Sequence, residues 1–136
     1  MSDNKQAKAS IRLLRGSAQK LNLVAESIRR LPVAKAIEQL MFSKKGTAPT
    51  VKKLVMSAMA NAQNNLGMDI DKLYVAEAWV GKALVMKRFH ARARGRGAAI
   101  LKPYSNITVI LEEAVPVAKP AKDTKKKTAS KKEEAK

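Results

Sequence analysis

The chain sets 28 Lys and Arg against 11 Asp and Glu in 136 residues, a net charge of +17, and its length suits one domain with accessory segments. It has no cysteine, which excludes disulfides and thiolate metal sites and agrees with a reducing, cytoplasmic setting. No apolar run follows the first residues and none approaches the ~20 residues of a bilayer span, so a soluble protein without a secretory signal is expected.

In chain order, Ile11, Arg12, Leu13, Leu14 and Arg15 predict a short strand closed by Gly16, with Ser17 offered as the N-cap of a first helix. Leu21, Val24, Ala25, Ile28 and Leu31 recur at helical spacing and mark its apolar face. Pro32 interrupts that pattern and suits the first turn of a second helix, whose Val33, Ala36, Ile37, Leu40 and Met41 share one side. Thr47 and Pro49 open a third, longer helix that Gly67 ends. Val51, Leu54, Val55, Ala58, Ala62 and Leu66 form its apolar stripe, and Lys53, Ser57, Asn61 and Asn64 a polar one. Met56 and Met59 are expected in or near the core. Residues 68–71 form a turn, and residues 73–80 read as a strand whose alternation Glu77 spoils. Ile107, Val109 and Leu111, interleaved with Thr108, Ile110 and Glu112, give a firmer strand.

The segment joining those two strands holds six Lys or Arg and no acid between Val80 and Lys102. Nothing within it can bury or pair the charge, so an external polyanion must neutralise it, and phosphate fits that density. The simplest geometry is an antiparallel hairpin turning within residues 88–96, an arm of about nine residues reaching about 30 Å. A lone two-stranded hairpin is marginal in water, so the arm is expected to be mobile until gripped. In extended backbone Arg92, Arg94 and Arg96 point to one side. Such a row suits successive phosphates, and a guanidinium can also stack on bases. Gly95 and Gly97 fit either a turn or close backbone approach to RNA.

Residues 115–136 hold eight lysines and three acids without periodicity. They are expected to be a disordered Lys/Ala-rich tail, either a phosphate tether or an inert solubilising extension, with the tether favoured. Most of the positive excess therefore belongs to residues 1–114, a single RNA-binding domain that includes the arm at about 81–102. This is the footprint of a nucleic-acid binder. A membrane-surface protein would need an amphipathic helix with bulky anchors, whereas Phe42, Tyr74, Trp79, Phe89 and Tyr104 are scattered. A histone-like DNA-compacting protein is disfavoured because no dimer interface is evident. A nucleic-acid enzyme is disfavoured by the solitary His90 and by the lack of a carboxylate cluster.

Several stretches, in order, resemble one family. They are Ser17-Ala18-Gln19-Lys20 with Leu23-Val24-Ala25 and Ile28-Arg29; Ser57-Ala58-Met59-Ala60-Asn61-Ala62; and Asp71-Lys72-Leu73-Tyr74-Val75. Met86-Lys87-Arg88 with Arg92-Ala93-Arg94-Gly95-Arg96, then Ile107-Thr108-Val109, complete the set. Together they resemble the bacterial large-subunit ribosomal protein family called L-twenty-two, over about residues 7–113. The chain departs from the family pattern at Gly81-Lys82-Ala83-Leu84, where acids and Gly-Pro are common, at Ala91 and at Asn106.

The resemblance implies an α+β fold, with three helices packed on a three-stranded antiparallel sheet and a long basic hairpin extension. It also implies binding to 23S ribosomal RNA, a part in subunit assembly, and a hairpin lining the nascent-peptide exit tunnel, where changes near the tip are associated with macrolide resistance. The implied partners are 23S ribosomal RNA, other large-subunit proteins and the nascent polypeptide, with no membrane, small-molecule substrate, cofactor, metal or catalytic residue.

The candidate RNA-binding set is Arg12, Arg15, Lys20, Arg29, Lys53, Asn61, Lys82, Lys87, Arg88, His90, Arg92, Arg94, Arg96 and Lys102. The candidate tunnel-facing tip is Met86, Lys87, Arg88 and Phe89. Met86 and Phe89 either meet RNA bases or the tunnel lumen, or cross the hairpin as a local apolar pair. His90 is either a stacking or tunnel-facing group or a plain surface residue. Asn61 and Asn64, Lys20 and Arg29 either face RNA or decorate helix surfaces.

Overall fold

The computed structural model describes residues 5–113; the lysine-rich segment and the boundary expected near residue 114 lie outside them. The order of elements is β1 (Gln6–Arg15), α1 (Ala18–Ile28), α2 (Val33–Phe42), α3 (Ala48–Leu66), a 3-10 turn (Ile70–Lys72), β2 (Leu73–Ala91) and β3 (Gly97–Glu113). The strands form one antiparallel sheet in the order β1-β3-β2. This is the α+β fold expected, with the hairpin extension formed by β2 and β3.

β3 takes the centre because it has the strongest period-two pattern. Ile107, Val109 and Leu111 are fully buried and pair with Ile11, Ala9 and Ala7 of β1. Burying each of these large side chains contributes about 1.5–3 kcal/mol. The inward positions of β1 are small, and α3 packs over that strand with Val51, Leu54, Val55, Ala58 and Ala62. α1 covers β2 through Leu21, Val24, Ala25 and Ile28. Ala7, Ala9, Leu73, Val75 and Ala78 join these helix residues in one core, so all three helices share one face of the sheet.

Local differences from the sequence reading have physical causes. β1 begins at Gln6, five residues before the expected start. α1 ends at Ile28 although its stripe runs on to Leu31, because Arg30 turns the chain at φ 60. The Arg30 amide then donates to the Val75 carbonyl at 2.8 Å and the Val75 amide to the Leu31 carbonyl at 2.9 Å, tying the α1–α2 connection to β2. Ser17 stands at the N-cap, but its hydroxyl makes no cap bond. Gly67 ends α3 in the left-handed region at φ 59. Its amide donates to the Gln63 carbonyl, the bond of an αL closure, and the Met68 amide donates to the Ala62 carbonyl, with the Met68 side chain buried.

Met41 and Met56, expected on buried faces, are 60% and 46% exposed. Each follows a buried residue, Leu40 and Val55, and so points about 100° away from the packed side. Met59, by contrast, packs against the core. The broken alternation at Glu77 is a β-bulge: Val75 pairs with Leu111 and Glu77 with Ile110, leaving Ala76 as the extra residue.

Candidate nucleic-acid interface

Beyond Lys82, β2 and β3 leave the body as a two-stranded arm. A second bulge lies between Lys82 and Val85, after which the ladder runs unbroken from Val85–Pro103 to Ala91–Gly97. Side chains alternate across this ribbon. Met86, Arg88 and His90 share one face with Lys102, Ile100 and Ala98, while Val85, Lys87 and Phe89 share the other with Pro103, Leu101 and Ala99. Cations therefore stand on both faces. Ile100 is 42% exposed and Leu101 59% exposed, so the arm has no buried side of its own.

The chain turns at residues 92–96 rather than continuing as a strand. The Arg96 amide donates to the Ala93 carbonyl at 3.4 Å, and the Arg92 amide to the Arg96 carbonyl at 2.8 Å. Arg94 and Gly95 both have positive φ, 59 and 69, as a type I′ turn requires. Arg92, Arg94 and Arg96 thus crown the loop instead of forming the one-sided row of an extended strand. Met86, Lys87, Arg88 and Phe89, expected at the tip, lie on the shaft, paired with Lys102, Leu101, Ile100 and Ala99. Gly95 serves the turn. At Gly97 a Cβ would overlap Cε2 and Cζ of Phe89. The ring therefore crosses the hairpin onto glycine, while Met86 lies on the opposite face of the ribbon.

None of the arm's cations has an acidic partner among the described residues, whose one ion pair is Lys72–Asp69 at 3.0 Å on the body. Arg88 donates only to the Lys87 carbonyl at 2.9 Å and to Met86 Sδ at 3.7 Å. His90, Lys82, Lys87 and Lys102 are likewise exposed.

The body positions form separate groups. Arg12 sits exposed at a bulge in β1, where Leu13 takes φ 55 and the Leu13 amide donates to Asn106 Oδ1 at 2.9 Å. Lys53 and Asn61 line a seam between α3 and β1 together with Lys8 and Ser10, and Asn61 Nδ2 donates to the Lys8 carbonyl at 3.2 Å. Arg29 is committed to the fold: its Nε donates to the Ala78 carbonyl at 2.7 Å and Nη2 to Asn22 Oδ1 at 2.9 Å. Arg15, at the end of β1, and Lys20, in the first turn of α1, are exposed on either side of the β1–α1 connection.

Residues 9–112 match the family model described as Ribosomal protein L22p/L17e. The chain belongs to that ribosomal protein family. Curated relatives named large ribosomal subunit protein uL22 include one from Methylobacterium nodulans, 61% identical over 79% of this chain and 85% of its own length. That from Maricaulis maris is 57% identical over 83% of this chain and 89% of its own. That from Phenylobacterium zucineum is 56% identical over 79% and 86%. The family match spans β1 to β3, arm included, and so agrees with the resemblance read from the motifs.

Membership does not by itself reveal a further set of polar residues on the sheet face opposite the helices. Lys8, Ser10, Trp79 and Thr108 gather there beside Arg12 and Asn106. Sequence reading missed this set because Ala7 and Ala9 are too small to announce an inward-facing pattern. The signal was the alternation Ala7, Ala9, Ile11 against Lys8, Ser10, Arg12.

Proposed function

We propose that this member of the L22p/L17e family is a structural, non-catalytic component of the large ribosomal subunit. It binds 23S ribosomal RNA, helps the subunit assemble and lines the nascent-peptide exit tunnel with its arm. One observation supports this reading above the rest: among the described residues, the arm's cations stand on both faces without an acidic partner and no body element covers either face. Such a ribbon has no reason to hold its shape in water, and a reason to do so between phosphate groups. Neutralising phosphates on two sides at once lets RNA helices approach each other, which is what assembly requires. The crown of Arg92, Arg94 and Arg96 leads, while exposed Ile100 and Leu101, the ring face of Phe89 turned away from Gly97, and the half-buried Met86 offer apolar surface to bases or a passing peptide. Other large-subunit proteins and the nascent chain are the remaining partners, all within cytoplasmic ribosomes.

Co-sedimentation with the large subunit through a high-salt gradient tests subunit membership: the chain should remain bound after loosely held basic proteins are washed away. A photo-crosslinker at Lys87 should then capture nascent polypeptide in stalled ribosomes. Crosslinks to ribosomal RNA alone, with none to the nascent chain, would remove the tunnel assignment and leave RNA binding standing.

A further inference from the structure

The helices cover one face of the sheet; the other face carries a single aromatic, Trp79, in a hollow also lined by polar and cationic side chains. Trp79 on β2, Thr108 on β3 and Ser10 on β1 lie directly opposite one another in a single cross-strand row. Trp79 is 47% exposed, unusual for the chain's one tryptophan when a core is available. A hollow of about 390 Å³ beside it is bordered by Lys8, Arg12 and Asn106 as well as that row. Asn106 Oδ1 is already engaged by the Leu13 amide, which leaves its amide nitrogen as a donor. The bulge that produces this bond also fixes Arg12 at the rim.

We infer that this hollow is a nucleotide site, in which an unpaired RNA base stacks on the Trp79 indole. This deepens the proposed RNA-binding reading and rests on it. An indole offers a flat π-surface that accepts any base, and base–aromatic stacking is the usual anchor for single-stranded nucleic acid. Ser10 and the Asn106 amide provide hydrogen bonds suited to a base edge or a ribose hydroxyl, while Thr108, buried between its cross-strand neighbours, forms the floor of the hollow. Lys8 and Arg12 flank Ser10 on β1, across Thr108 from the indole, so a phosphate on that side of the base is complementary to the rim, whereas Glu77 stands beside Trp79 on β2 and leaves the other side without a cation. A protein segment docking here would call for an apolar cluster, whereas a single aromatic surrounded by donors fits one base. β2 runs without a break from Trp79 into the arm, so a strand of RNA leaving the arm's phosphate contacts can reach the hollow.

Because residue 79 is the sole tryptophan, its fluorescence reports this site alone. Titrating the full chain with 23S ribosomal RNA transcribed in vitro should quench that emission as complex forms. Trp79→Ala should weaken binding by about 5- to 150-fold, the loss expected for one stacked base, without altering the salt slope, and Trp79→Phe should recover part of it. Circular dichroism melts of both variants check that the fold persists. Unquenched emission in a complex that forms with normal affinity, or a Trp79→Ala variant that binds as wild type, overturns the nucleotide site and leaves the arm's role intact. Normal RNA affinity of Trp79→Ala coupled with poor incorporation into subunits overturns it too, in favour of a protein partner. Failure of the wild-type chain to bind the RNA at all would instead defeat the underlying RNA-binding reading.

Discussion

Replacing Arg88, Arg92 and Arg94 together with alanine separates the arm's binding role from any role in stability. The three side chains are exposed and have no acidic partner among the described residues, and they belong to neither the core nor its packed margin. Surface changes of this kind usually stay within about 0.5 kcal/mol each, about 1.5 kcal/mol if all three add, which for a domain of this size moves the melting point by no more than about 10 °C. Binding should respond very differently. Each phosphate contact contributes about 0.7 to 0.9 to the slope of log K against log salt, so losing three should reduce that slope by about 2 to 3. Between about 50 and 200 mM salt, the affinity of the variant should then fall some 20- to 40-fold less steeply than that of the wild type. Fluorescence polarisation with 23S ribosomal RNA at several salt concentrations measures the slope, and a thermal melt by circular dichroism measures stability. A melting point lower by about 20 °C, or an unchanged slope, would show that these arginines hold the arm to the body rather than to phosphate.

The body and the shaft respond to other changes. Arg29→Ala removes the donors to the Ala78 carbonyl and Asn22 and should cost about 1–3 kcal/mol in urea unfolding; Arg29→Lys should recover little, since lysine lacks the planar fork. Lost RNA affinity with unchanged unfolding would place Arg29 at the interface instead. Ile107→Ala, at a fully buried site on the central strand, should cost about 2–5 kcal/mol by the same measurement, and a cost near zero would contradict the core placement. Deleting Met86, Lys87 and Arg88 removes an odd number of residues from one strand, so the segment beyond must swap faces to stay paired. The body should melt unchanged while chemical footprints along the arm shift, and by family resemblance macrolide sensitivity should change; a destabilised body would mean that the arm supports the core.

The three helices were legible because each repeats its apolar residues at the helical period over several turns, and Gly67 marked the end of the longest. The core strand around Ile107, Val109 and Leu111 was equally plain. The first half of β1 was not, because Ala7 and Ala9 are weakly hydrophobic and Lys8 and Ser10 look like linker. Arm and charge could be read from composition, but the position of the turn could not. It depends on the pairing register, and one extra residue in the bulge between Lys82 and Val85 decides which residues reach the end.

The chain's order of residues alone settled its electrostatic character and its helical periods, since charge and spacing are local properties that need no neighbours. Tertiary structure alone decided that Arg29 serves the fold, that Phe89 covers Gly97 and that Ser10, Trp79 and Thr108 form one row. Those groupings join residues far apart in the chain, and they exist only once strand pairing and bulges have set which side chains share a face.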